Sequence, residues 1–225
     1  MNSKTKRGLI LGSVFMLLFL IMLMCVLNVD VGNIGAGNTS IGCSAVNKAF
    51  RNLVGVNMTL YKITDIMGII VILIALIPVI FGVVQMIRRG IKNVDYDIWI
   101  VACAYAVLAL FYAIFEIFVV NYRPVLMDGV IEASFPSSHT MLAVTILGVV
   151  AIFLWSRMDK KWLKITITCT LCVLAIALVA MRAVSGVHWL TDIIAGCMLG
   201  ASIVSFYSAF ASIAELKQKR NQSRV

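Results

Sequence analysis

Six stretches of the chain are long and apolar enough to cross a membrane, and their lengths fix most of what it can fold into. A hydrocarbon layer of about 30 Å takes roughly 20 helical residues to cross. Runs of that size lie at about residues 8–28, 66–87, 98–120, 137–155, 163–182 and 189–212. Apolar residues make up 62% of the chain and charged ones 13%, against roughly half and a quarter in soluble proteins, so an oversized soluble core does not account for them. Inside lipid every backbone polar group needs an internal partner, which leaves helices or a closed barrel. Continuous runs, rather than short alternating ones, select helices. All four tryptophans (Trp99, Trp155, Trp162, Trp189) mark run ends, where an amphipathic ring prefers the headgroup region. The expected fold is all-α: residues 1–225 form a single integral membrane domain, a polytopic bundle of about six transmembrane helices, with a loop over 29–64.

Charge orients this bundle. Lys4, Lys6, Arg7, Arg88, Arg89, Lys92, Arg157, Lys160, Lys161, Lys164, Lys217, Lys219, Arg220 and Arg224 fall on one side, and Lys48, Arg51, Lys62, Arg123 and Arg182 on the other. Fourteen of the nineteen basic residues thus share a side, which the positive-inside rule makes cytoplasmic, with both termini inside. The net charge of +9 then answers anionic headgroups and calls for no nucleic-acid partner. The first run is longer than a usual signal-peptide core and reads as a retained anchor; the expected location is the plasma membrane. Of the six cysteines only Cys43 lies clearly in an outer loop, so a disulfide-bridged ectodomain is not expected. Cys169 and Cys172 read as packing residues.

Within the 29–64 loop, Val46, Ala49, Phe50 and Leu53 recur on one face of a helix over 43–54, with Asn47, Lys48, Arg51 and Asn52 opposite. That pattern predicts an interfacial helix lying along the membrane, either roofing a headgroup pocket or serving as a plain surface element. The chemistry gathers in the two other outer breaks. The two histidines stand one in each, beside Arg123, Pro136, Ser137 and Ser138 for His139, and beside Arg182 and Asp192 for His188. Charged groups at membrane depth are costly, and an anionic ligand is the simplest common purpose. His188 and Asp192, four apart, are expected on one helical face. Asp192 would then accept a proton from one imidazole nitrogen and leave the other as nucleophile or base. Arg123 and Arg182 offer planar forks for phosphate oxygens, and Ser137 and Ser138 precede a helix whose free N–H groups favour an anion. A lone His–Asp pair is more often structural; the complete set in one compartment argues for a site.

Glu116 through Arg123-Pro124, Pro136-Ser137-Ser138-His139, and Met181-Arg182 through His188 to Asp192 together resemble the three ordered motifs of the type 2 phosphatidic acid phosphatases, KxxxxxxRP, PSGH and SRxxxxxHxxxD. The resemblance implies a six-helix membrane enzyme with its active site on the outer face, needing neither metal nor other cofactor. It implies His188 as nucleophile, Asp192 as its partner, His139 as general acid, and Arg123 and Arg182 as phosphate clamps. Its substrate would be a lipid phosphate or diphosphate such as polyprenyl diphosphate, phosphatidic acid or phosphatidylglycerol phosphate, met among membrane lipids. Three positions depart from the pattern: Ser138 stands for glycine, Met181 for serine, and Glu116 for lysine. The last reverses a charge at a phosphate contact, so that Lys62 substitutes, or Glu116 turns to an arginine, or activity is reduced. Transfer of the phosphoryl group to an acceptor other than water, and lipid-phosphate binding or transport without turnover, are the competing functions. Oligomeric state is left open.

Overall fold

The computed structural model describes residues 2–222, with side chains through Lys217. Of the basic residues counted above, Arg224 and the side chains of Lys219 and Arg220 lie outside it. Among the described residues there are seven α-helices: α1 (Ser3–Asn28), α2 (Ser44–Val54), α3 (Met58–Arg89), α4 (Tyr96–Ile117), α5 (Ser138–Trp155), α6 (Lys161–Val184) and α7 (Leu190–Gln222). All but α2 are long and apolar enough to span a membrane. The protein is an all-α integral membrane bundle.

Burial ranks the helices. The apolar windows of α5 and α7 are 56% and 50% buried, against 17% for α1, α3 and α4 and 11% for α6, so α5 and α7 form the axis and the others a lipid-facing rim. Close approach of that pair depends on small residues. A Cβ on Gly196 would stand 2.9 Å from the Ser137 carbonyl oxygen, and one on Gly200 would stand 2.8 Å from Val144 Cβ. With no hydrophobic drive between helices in lipid, such backbone contact is a main source of helix association. It also sets the start of α5 directly against the start of α7.

Two boundaries differ most from the hydropathy reading. Helix α3 begins at Met58 rather than 66, because Thr59, Tyr61, Lys62, Thr64 and Asp65 interrupt the apolar run without interrupting the helix. Asn57 caps it, its side chain accepting the Leu60 N–H at 3.0 Å, as N-cap asparagines do. Thus the 29–64 loop ends earlier, and the polar first turns of α3 enter the bundle. Helix α7 continues past 212 to Gln222.

Helix α2 forms over the expected residues but packs by its polar side. Asn47 is fully buried, while Val46 and Leu53 are exposed. The Asn47 amide donates to Gly42 O at 2.9 Å, and its oxygen accepts the Thr191 N–H at 3.2 Å. An outward apolar face suits a helix bedded in the interface. A short antiparallel pairing of Gly32–Asn33 with Ser40–Ile41 precedes it. All six cysteines are free, and Cys169 and Cys172 are exposed on α6 rather than packed.

At the end of the bundle where the basic residues gather, Arg157 binds both oxygens of Asp97 at 2.6 and 2.9 Å and lies 3.7 Å from the centre of the Phe153 ring. At the other end, the segment joining α4 to α5 folds back on itself through bridges at Tyr122–Ala133 and Met127–Val130.

Candidate active site

That α4–α5 segment is the platform of the site. Arg123 N–H donates to Glu132 O at 3.0 Å and Ser134 N–H to Asn121 O at 2.9 Å, so Arg123 and Ser134 are held by the same turn. Phe135 anchors it from below, stacked on Phe19 and edge-on to Phe115 at 6.1 and 5.9 Å between ring centres. From above, Trp189 Nε1–H donates to Tyr122 O at 2.7 Å and Arg51 Nη1 to Pro124 O at 3.1 Å. An aromatic cluster and two side-chain clamps thereby fix a loop that has no regular structure of its own.

His188 is buried, yet it does not share a helical face with Asp192. It lies in the turn before α7, two residues ahead of Leu190, and its Nδ1 is 3.9 Å from Asp192 Oδ2. The i, i+4 expectation fails because it requires both residues to be helical. Asp192 instead sits in the first turn of α7, where Oδ2 accepts the Trp189 N–H at 3.1 Å and the hydroxyl of Ser134. The backbone bond is half of a capping box, with an acid in the first turn reaching back to the N–H before it. Ser134 mediates between the two: its hydroxyl lies 3.0 Å and its carbonyl oxygen 3.1 Å from His188 Nδ1. The carbonyl can only accept, so Nδ1 carries the proton and Nε2 is left bare. Nε2 is buried and has no hydrogen-bond partner among the described residues. Burial first, then the positive charges of Arg123, Arg182 and His139, hold the His188 imidazole well below its ordinary pKa of 6.5, which keeps that lone pair free near neutral pH.

Both arginines reach the same place. Arg182 is fully buried and Arg123 nearly so, and the Tyr61 ring lies against the two guanidiniums, 4.6 Å from that of Arg182 and 5.8 Å from that of Arg123. Arg182 Nη1 donates to Thr64 Oγ1 at 2.8 Å and to Asp65 Oδ1 at 3.0 Å. Arg123 Nε lies 3.2 Å from Glu132 Oε2, without hydrogen-bond alignment. Arg182 Nε and Arg123 Nε and Nη1 are buried donors with no hydrogen-bond partner among the described residues. An unsatisfied charged donor is expensive to bury, and an anion bound by the two guanidiniums would offset that cost.

His139, on the first turn of α5, is half-buried between Arg182 and Asp65. Ser138 lines a cavity of about 30 Å³ together with Arg123, Ser134 and His188. Ser137 faces away from it: its hydroxyl accepts from Thr140 at 3.1 Å, and its N–H is taken by Asp192 O at 3.0 Å. Glu116 lines the same cavity, exposed at the end of α4. The carboxylate beside Arg123 is Glu132, not Glu116. A far larger cavity, about 700 Å³, opens at the opposite end among Lys4, Asp97, Arg157 and Lys164. The ion pair there is already satisfied, whereas the unpaired nitrogens gather here, and unpaired nitrogens are the better mark of an anion site. Among the described residues no three His, Cys, Asp or Glu side chains converge as metal ligands.

Sequence reasoning missed Tyr61, Thr64, Asp65, Asn121 and Ser134. Tyr61 and Thr64 fell in the stretch assigned to a loop, and Asp65 just past it is a carboxylate at the edge of an apolar run, which was a usable signal. Asn121 and Ser134 carry no periodicity that would have exposed them.

A family profile described as "PAP2 superfamily" matches residues 97–214. Among solved structures, the fold is similar to a transmembrane PAP2-type phosphatidylglycerolphosphate phosphatase from Bacillus subtilis, with a TM-score of 0.66 over 89% of this chain and 96% of that one at 19% identity. No curated protein matches the chain.

Proposed function

Because this chain belongs to the PAP2 superfamily, we propose that it is a membrane phosphatase that hydrolyses a lipid phosphate or diphosphate through a phosphohistidine at His188. The observation that carries this reading is the set of unpaired buried nitrogens: one imidazole lone pair, His188 Nε2, beside free donors of Arg123 and Arg182. A nucleophile next to fixed positive charge is what phosphoryl transfer requires, since charge spreads over the three equatorial oxygens.

In the proposed reaction, Arg123 and Arg182 hold the phosphate oxygens, with Ser138 beside them at the start of α5, where backbone N–H groups favour an anion. His188 Nε2 attacks phosphorus, the bond to the leaving oxygen breaks, and His139 gives that oxygen a proton. Water then attacks the phosphohistidine, returns a proton to His139 and releases inorganic phosphate, freeing His188. Asp192 keeps the His188 tautomer through Ser134. Neither step asks for a metal or other cofactor. Ser137 contributes by seating α5 against α7 rather than through its hydroxyl.

The weight of basic residues on the opposite end supports a site on the outer face of the membrane, which in this reading is the plasma membrane, with substrate drawn from the outer leaflet. Inorganic phosphate release by purified protein tests the reading on polyprenyl diphosphate, phosphatidic acid and phosphatidylglycerol phosphate, the last being the substrate in the structural relative's name. Release from at least one, lost in His188→Ala, is the expected result. No release from any, or full activity in His188→Ala, would contradict it.

A further inference from the structure

The two imidazoles of the site are gripped by opposite edges. His188 gives its Nδ1 proton to Ser134 O and leaves Nε2 bare. His139 is turned the other way, with Nε2 3.2 Å from Asp65 Oδ1 and Nδ1 3.1 Å from Arg182 Nη2. A guanidinium can only donate. Nδ1 of His139 therefore accepts, and the ring proton sits on Nε2, facing the carboxylate. The same edge is pressed against α3 one turn beyond Asp65: a Cβ on Gly68 would stand 2.9 Å from His139 Cδ2 and 3.1 Å from Nε2. No larger residue fits at 68 without moving the ring. Asp65 Oδ1 also takes Arg182 Nη1 at 3.0 Å, so one carboxylate orients both the second histidine and a guanidinium.

We infer that Asp65 is a positioning residue that fixes His139 with its proton on Nε2, so that Nδ1 exchanges protons with the substrate while Nε2 is the reacting nitrogen of His188. In the free protein Arg182 Nη2 occupies His139 Nδ1. A bound phosphate draws that donor off, and Nδ1 takes a proton from water. It gives this proton to the leaving oxygen as the P–O bond breaks. It takes one back from the attacking water as the bond between phosphorus and His188 Nε2 breaks. Asp65 stays opposite the Nε2–H throughout. Hydrogen-bonded partners of this kind fix which imidazole nitrogen is available. The proton-exchange part rests on the proposed role of His139 as general acid; the tautomer does not.

The chain has only two histidines, which makes the tautomers directly readable. With the full chain labelled at histidine nitrogens and held in nanodiscs at about pH 8, above the ordinary imidazole pKa, long-range proton–nitrogen correlations should show one ring protonated at Nδ1 and the other at Nε2. His188→Ala should remove the Nδ1–H ring. Two rings of the same tautomer would overturn the inference whether or not the protein turns over any substrate. The kinetic counterpart uses Asp65→Asn, which keeps a hydrogen-bonding group but no charge. It should lose at least about tenfold more kcat on an alkyl lipid phosphate than on p-nitrophenyl phosphate, because proton donation matters most for a poor leaving group. That split should vanish in a His139→Ala background. Should Asp65→Asn not accumulate as folded protein, Gly68→Ala provides the same comparison by displacing the ring. An equal loss on both substrates, while His139→Ala itself shows the split, would overturn the kinetic role of Asp65 and leave the general acid standing. Absence of the split in His139→Ala would remove the general acid, and the spectrum would still decide the tautomer.

Discussion

Ser134 shows how much of this site hangs on one small side chain. Its hydroxyl binds Asp192 and its carbonyl oxygen holds the proton of His188 Nδ1, so it stands where the sequence suggested a direct His–Asp contact. Ser134→Ala would keep the carbonyl and delete the hydroxyl, leaving Asp192 only the Trp189 N–H and a 3.5 Å approach from Asn121. A hydrogen bond to a charged group is worth about 1.5–3 kcal/mol, which corresponds to roughly ten- to a hundredfold in kcat if the bond is held in the transition state. Steady-state kinetics should therefore show kcat falling by that range with KM little changed, since the arginine clamp is untouched. Unchanged kcat would mean that Asp192 acts without Ser134. Glu116 is informative in the opposite sense: it lines the cavity but leaves Arg123 to Glu132. Lys62 lies exposed on α3, and the site's cations are its two arginines.

At the scale of elements, the sequence reveals what hydropathy and periodicity encode. The six spanning helices follow from run length, and α2 follows from its amphipathic spacing. The motifs also place His139, Arg182, His188 and Arg123 at one end of the bundle. What stays hidden has a physical reason in each case. The first two turns of α3 are polar because they carry Tyr61, Thr64 and Asp65 into the site, so a hydropathy window discards them. The buried face of α2 is polar because Asn47 satisfies the start of α7, reversing the rule that the apolar stripe faces the core. The α4–α5 segment is shaped by individual hydrogen bonds and by Phe135 in the aromatic cluster, and neither leaves a repeat in the sequence. The His188–Asp192 spacing misled because α7 begins at Leu190, after the first of the two residues.

For the molecule as a whole, the two ends of the bundle are chemically distinct. One end carries the Arg157–Asp97 pair among the basic residues, and the other carries the unpaired nitrogens of the site. The sidedness proposed from that asymmetry can be read with a membrane-impermeant thiol reagent on intact cells. Asp128→Cys, on the exposed turn beside the site, should react, and Asp159→Cys, on the exposed α5–α6 turn, should not. The reverse pattern would invert the topology and move the site to the cytoplasmic leaflet. The central claim, that phosphate passes through His188, is tested most directly by rapid quenching during turnover of a lipid substrate labelled in its phosphate. An acid-labile, base-stable phosphoenzyme should form in the wild type within the first turnover and be absent from His188→Ala. Its persistence in His188→Ala, or an acid-stable adduct in the wild type, would contradict the account.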